Sequence, residues 1–186
     1  MSTSTQTEAT IDDLYGYDGK AELIDGRIVP IMPSGHRHNW IAGAIYRGLF
    51  DHARATGRGV AYTDGMGFVV PGLVSGRRSF SPDAAYYTGP LPADDADFAP
   101  GPPTLAVEVR SKGDHGPAAE AEMAAKRADY FEAGTLVVWD VDPIAATIAA
   151  YRAETPDQPT VFNRSDIADA EPATPGWRLA VDTLFA

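Results

Sequence analysis

The spacing of apolar positions changes several times along the chain, and each change marks an element. Between His36 and Ala55 the set Trp40, Ile41, Ala44, Ile45, Gly48 and Leu49 recurs at i, i+1, i+4 and i+5. That spacing predicts a helix with these residues on one face and Arg37, Arg47, Asp51 and Arg54 on the other. A second, Ala-rich helix is predicted from Pro117 to Ala133, stopped by Gly134. Thr10 with Asp13 three residues on resembles a capping box, so a helical turn is expected up to Tyr17, with Gly16 and Gly19 stopping it.

Strand patterns fill the space between. The segment AELIDGRIVPI reads as a hairpin turning at Asp25-Gly26, its second strand ended by Pro30 and Pro33. Residues 60–70 read as a second hairpin around Asp64-Gly65. Arg78 to Tyr87 reads as a strand, with Pro82 marking an edge or a bulge. Further strands are predicted at Thr104–Arg110, Thr135–Val141 and Thr147–Arg152, and Gly176 to Phe185 alternates weakly. Residues 88–103 hold five prolines and three aspartates with no apolar period, which predicts a long loop of functional or mobile character. Strand, long loop, strand, helix, strand predicts an α/β or α+β domain on a mixed sheet. With 186 residues and no internal repeat, a single domain over 20–186 is expected, preceded by an N-terminal extension over 1–19.

Composition adds a few exclusions. No apolar run is long enough to span a bilayer, and Met1 to Thr10 lacks the basic and apolar regions of a signal peptide. The absence of cysteine rules out disulfides and thiolate metal sites, and together these features lead us to expect a soluble cytoplasmic protein. A net charge of −11 argues against a protein that lives by non-specific nucleic-acid binding. The charge is uneven, however. Residues 20–58 carry six bases against three acids, whereas residues 128–186 carry ten acids against three bases. An acidic body with one basic stretch can still meet a phosphate backbone locally.

Three places put charge where charge is costly. In TLAVEVR, Ala106, Glu108 and Arg110 share one strand face, and Glu108 stands in a run that otherwise reads as buried. A buried carboxylate needs a cation, and the candidates are Arg110 on the same face or a metal ion. In SPDAAYY, Asp83 likewise enters an apolar, aromatic strand. Two carboxylates on neighbouring strands are the hard oxygen donors that Mg²⁺ prefers. On the second helix Glu122, Lys126 and Tyr130 share a face at i, i+4 and i+8, where a plain surface ion pair is the simpler reading. His36-x-His38 lacks a nearby third ligand for zinc, and Gly57-x-Gly59 and Gly65-x-Gly67 read as turns.

Taken in order, these pieces resemble the "putative restriction endonuclease" domain family of the PD-(D/E)XK nuclease superfamily, over most of the chain. Glu22-Leu23-Ile24-Asp25-Gly26 is similar to that family's opening hairpin, and His38 to the histidine leading its first long helix. Pro82-Asp83 and Glu108-Val109-x-Ser111 resemble its two acidic motifs. Glu122-x-x-x-Lys126-x-x-x-Tyr130-x-x-x-Gly134, followed by Val138-Trp139 and Asp142-Pro143, resembles its helix-to-strand signature. The resemblance implies a restriction-endonuclease-like core, with a mixed sheet flanked by helices. It also implies Mg²⁺, or Mn²⁺ in its place, held by Asp83 and Glu108, with Lys126 as the catalytic lysine. Glu22, His38 and Arg110 become auxiliary candidates, Arg110 standing where the superfamily's strand lysine falls. The implied activity is hydrolysis of phosphodiester bonds in DNA. From the charge, DNA is expected to bind weakly and in a salt-dependent way, with the bases of 20–58 and Arg77 and Arg78 on the rim of the cleft, and cutting of both strands favours a homodimer. The rival expectation is a catalytically inactive nuclease-like module that binds protein or nucleic acid, with Glu108 and Arg110 as a structural pair.

Overall fold

The structure is a computed structural model that describes residues 8–185. The reading of residues 1–7 as lacking a signal peptide lies outside the described residues. Helix α1 (Ile11–Tyr15) begins at the capping box: the Asp13 N–H donates to Thr10 Oγ1 at 3.2 Å and the Thr10 N–H donates to Asp13 Oδ2 at 2.8 Å. Strands β1 (Ala21–Ile24) and β2 (Arg27–Pro30) pair antiparallel. Their turn has φ of 48° at Asp25 and 65° at Gly26, the two positive angles that a tight hairpin of this kind demands. Helix α2 (His36–Thr56) ends at Gly57 in the left-handed region.

The central sheet takes its strands from most of the remaining chain. They are β3 (Val60–Thr63), β6 (Ala84–Tyr87), β8 (Leu105–Val109), β9 (Val137–Asp142), β10 (Thr147–Arg152) and β11 (Thr155–Phe162), in the spatial order β11-β10-β9-β8-β6-β3. Within this sheet only β8 and β9 pair parallel, and the connection between them is helix α3 (Pro117–Ala133), since parallel neighbours need a crossover. Strand β11 forms one edge and carries Pro156 and Pro159. A small second sheet joins β5 (Ser79–Phe80), β4 (Phe68–Val69) and β7 (Ala99–Pro100) in that order. Near the C-terminus β12 (Ile167–Asp169) pairs with β13 (Arg178–Ala180), and a 3₁₀ turn covers Val181–Leu184.

Side-chain alternation splits the core in two. Val107, Val109, Trp139 and Val141 face Ile41, Ile45 and Leu49 of α2. Ala106 and Val138 face the other way, into a cluster with Phe68, Phe80, Tyr87 and Tyr130. The sheet is therefore covered on both faces, and its strands read as nearly continuous apolar runs for that reason. Among the described residues, no helix is long and apolar enough to cross a membrane.

Four expectations change. Trp40 is 59% exposed, and the buried stripe of α2 runs instead through His38, Ile41, Ala42, Ile45, Leu49 and Ala53. Residues 60–70 are not a hairpin: β3 pairs with β6, while β4 joins β5 and β7 in the small sheet. At Gly67 a Cβ would come within 2.5 Å of the Phe98 ring, so the chain there is drawn against the 88–103 segment and away from β3. That segment is thus no free loop, since β7 within it pairs with β4. The predicted strand Arg78–Tyr87 is two strands, β5 and β6, broken at Ser81-Pro82-Asp83 and belonging to different sheets.

Candidate active site

The break before β6 is what brings the acids together. The β6–β8 ladder pairs Ala84 with Val107, and the Asp83 N–H donates to the Val107 carbonyl at 3.0 Å. Carried one position further, the same register sets Asp83 beside Glu108. The Val109 N–H donates to Asp83 Oδ2 at 2.8 Å, which fixes that carboxylate at the strand end. In the parallel neighbour β9, Asp140 is the register partner of Glu108. Three acids thus cross β6, β8 and β9 in a row. A fourth, Glu22, arrives from β1 and accepts from the Ser81 N–H at 2.9 Å.

Each acid has its own cations. Lys126 of α3 holds its Nζ 2.9 Å from Glu108 Oε1 and 3.1 Å from Glu22 Oε1. It turns inward to these two and does not serve as a surface partner for exposed Glu122. The Tyr130 hydroxyl, one helical turn on, donates to Glu108 Oε1 at 2.6 Å. Asp83 meets His38 Nε2 at 3.0 Å and Lys20 Nζ at 3.5 Å. Two cavities adjoin these groups, one of about 500 Å³ beneath α3 and one of about 150 Å³ on the Asp83 and His38 side, and Glu108 borders both.

Residues 9–182 match the Uma2 family, described as "Putative restriction endonuclease". The chain belongs to this family. Five solved chains also match. One is the crystal structure of a "putative nuclease belonging to DUF820" from Anabaena variabilis, at 19% identity and a TM-score of 0.72. The likeness covers 95% of this chain and 97% of that one, and it shows a shared fold. No curated protein matches.

Two sequence expectations for this Uma2 chain need correction. Arg110 is not the partner of Glu108. Its N–H continues the ladder to the Val141 carbonyl at 2.8 Å, and its guanidinium spans Asp140 (2.8 and 2.7 Å) and Glu120 (2.8 Å). Sharing a strand parity with Glu108 is overridden by the closer carboxylate on the parallel neighbour. Arg77, expected on a basic rim with Arg78, is buried: it pairs with Glu22 and donates through Nε to Asp129 Oδ2 at 2.8 Å. The loop carrying Arg77 is pressed onto the hairpin turn, where Gly76 has φ of +80° and a Cβ would come within 3.0 Å of Asp25 Cα. Asp129 and Asp140 were not singled out from the sequence. Asp140 carried the signal that marked Glu108, an acid inside an apolar strand run, in VVWDVD.

The electrostatics separate the two central carboxylates. Burial pushes Asp83 up, but His38, Lys20 and the Val109 N–H outweigh it and hold the carboxyl below its usual range. Burial likewise raises Glu108, and the pull of Lys126 does not offset burial together with the charges of Asp83 and Glu22, so its net shift is upward. Glu22 itself is lowered, because Lys126, Arg77 and the Ser81 N–H overcome its burial. Burial depresses Lys126, but Glu108 and Glu22 reverse that and keep it protonated.

Asp83 and Glu108 are carboxylates, the oxygen donors that a hard divalent cation takes. The described residues contain no cage of three or more His, Cys, Asp or Glu side chains. Mg²⁺ does not require one, since it is commonly held by one or two carboxylates with water in the remaining positions. Asp83 and Glu108 fit that pattern, standing as register neighbours at the ends of two paired strands.

His38 makes stability depend on pH. Burial lowers its pKa, but the hydrogen bond and charge of Asp83 outweigh burial and raise it above 6.5. The stabilisation from the pair is therefore fully present below about pH 6.5 and is lost as pH rises through the raised folded value. The lowered Asp83 sets the acid limit, its share being lost as pH falls through its folded value. In metal-free melts, the stability difference between the parental protein and His38→Asn is expected to shrink from pH 6 to pH 9. A difference that stays constant over that range would show that His38 carries no charge on Asp83.

Proposed function

We propose that this chain is a Mg²⁺-dependent endonuclease that hydrolyses phosphodiester bonds in DNA, with Mn²⁺ as a substitute ion. The observation carrying this reading is the register that sets Asp83 beside Glu108 with the Lys126 ammonium 2.9 Å from Glu108. Bound by Asp83 and Glu108, Mg²⁺ supplies an activated water and neutralises charge on the phosphodiester. Lys126 directs its ammonium at the charge that develops on the scissile phosphate, and Glu22 and Tyr130 keep Lys126 and Glu108 in place. His38 aligns Asp83 and adds positive charge where a neighbouring phosphate approaches. Arg110 has a packing role, tying β8 to β9 and α3 through Asp140 and Glu120.

DNA binding in this reading is weak and falls steeply with salt, because few phosphates are neutralised by an acidic protein. The proposed setting is the cytoplasm, and the assembly a homodimer, which lets two sites address two strands. The rival reading, a catalytically inactive module, draws on the cations already standing at each carboxylate. Incubation of purified protein with supercoiled plasmid decides between them. Nicking is expected with Mg²⁺ or Mn²⁺ and is abolished by a chelator, and its absence with both ions overturns the nuclease reading. Lys126→Met is expected to cut at least about a hundredfold more slowly, the scale of removing one preorganised charge stabiliser. It should still give a cooperative melt, and cutting at the parental rate would remove the lysine from the mechanism.

A further inference from the structure

The larger cavity is lined by the N-terminal two thirds of α3, which is lightly packed. Residues 117–128 are all at least partly exposed, and burial begins only at Asp129 and Tyr130. The exposed half is thin, with alanine at 118, 119, 121, 124 and 125. Ion pairs brace it over the ends of β8 and β9: Arg110 to Glu120 at 2.8 Å and Arg127 to Asp140 at 3.2 Å. The space of about 500 Å³, a cleft partly open to solvent, lies within the range of about 300–1,000 Å³ typical of small-molecule pockets.

The walls say what kind of group fits there. Val109, Val138 and Met123 provide apolar surface. The four cations among the lining residues each already face a carboxylate: Arg77 with Asp129 (2.8 Å), Arg110 with Asp140 (2.7 Å), Lys126 with Glu108 (2.9 Å) and Arg127 with Asp140 (3.2 Å). With five carboxylates against these four cations, the lining offers no free positive charge and is poorly suited to a phosphate. The smaller cavity, on the Asp83 side, is bordered by Glu108, Val109 and Asp114 as well, so these residues divide the two. A molecule with its charged link at Glu108 and Lys126 can place a flat, uncharged group in the larger cavity beneath α3.

We infer that the cavity beneath α3 is a nucleobase pocket, taking the base adjacent to the scissile phosphate; this rests on the nuclease reading above. The base must leave its stack to enter, so the substrate class is single-stranded nucleic acid or a strand whose base is extruded. Discrimination between substrates then lies in how readily a base unstacks.

Two probes isolate the contribution of the base. They are thymidine 3′,5′-bisphosphate and the deoxyribose 3′,5′-bisphosphate that lacks a base. Binding of each to the full chain is measured by calorimetry at low salt, without metal. The parental protein is expected to bind the nucleotide at least tenfold more tightly than the abasic compound. Ala119→Trp and Met123→Trp, which fill the cavity from an exposed helix face, should each erase that preference and leave the abasic affinity unchanged. Thermal melts confirm that both variants fold. Plasmid nicking without any base preference overturns the pocket and leaves the nuclease reading standing, and so does a preference that survives both substitutions. A base preference without nicking retains the pocket and removes the nuclease reading. Absence of both binding and nicking removes the two together.

Discussion

Asp83→Asn is expected to lower metal-dependent plasmid nicking by more than about a hundredfold. Loss of a group that merely supports a metal ligand costs about 10–100-fold, and under the proposed function a charged ligand itself is lost. The fold should survive, losing the charge share of the Asp83–His38 contact. Asparagine keeps an acceptor for the Val109 N–H and for His38 Nε2, and Lys20 retains its pair with Asp64. A second readout separates binding from chemistry. Mg²⁺ at about 100 times its dissociation constant adds about 2.7 kcal/mol to the stability of a protein that binds it only when folded. The parental melting temperature should therefore climb on adding Mg²⁺, and that of Asp83→Asn should not. Parental nicking by the variant, or an equal thermal response, would show that Asp83 does not hold the ion.

Removing Arg77 should have the largest effect on stability. Its guanidinium bridges Glu22 of β1 and Asp129 of α3, lies 5.2 Å from the centre of the Phe80 ring, and is buried. Phe80 in turn stacks on Tyr130, whose hydroxyl holds Glu108. Arg77→Leu leaves Asp129 buried without its cation, and breaking a buried pair in this way costs about 3–5 kcal/mol. For a protein of this size that corresponds to a fall of roughly 6–20 °C in melting temperature. Arg77→Lys should recover only part of the loss, because an ammonium lacks the planar fork that reaches two carboxylates at once. A melt unchanged in Arg77→Leu would mean that the hairpin is held to α3 by something else.

Local chemistry explains which parts of this architecture were legible in the sequence. The Asp25-Gly26 turn, the Thr10 capping box and the bounds of α3 depend on neighbours a few residues apart, and all were readable. Asp83 and Glu108 stood out because each is an acid inside an apolar run, a pattern that costs free energy unless something compensates it. What compensates them was not readable, because the partners come from far along the chain. Arg77 lies 55 residues from Glu22 and 52 from Asp129. Arg110 shows the same limit from the other side. Strand parity placed it with Glu108, whereas the register of β9, invisible in the sequence, supplied Asp140. In the 60–70 segment the turn was visible but not the strand that each arm would join. Strand β11 escaped notice because its two prolines argue against a strand, and an edge position is where a sheet tolerates them.

Those same prolines bear on how copies of the molecule meet. An exposed sheet edge is a template on which another chain can add a strand, the route by which many β-rich proteins form swapped dimers and fibrils. Two of the eight residues of β11 have no N–H to offer an incoming strand. The rim of the sheet is thus blunted against edge-to-edge growth. Pairing of two copies through a sheet continued across β11 is disfavoured, which leaves the opposite edge at β3 and the helical and loop faces for a two-fold assembly.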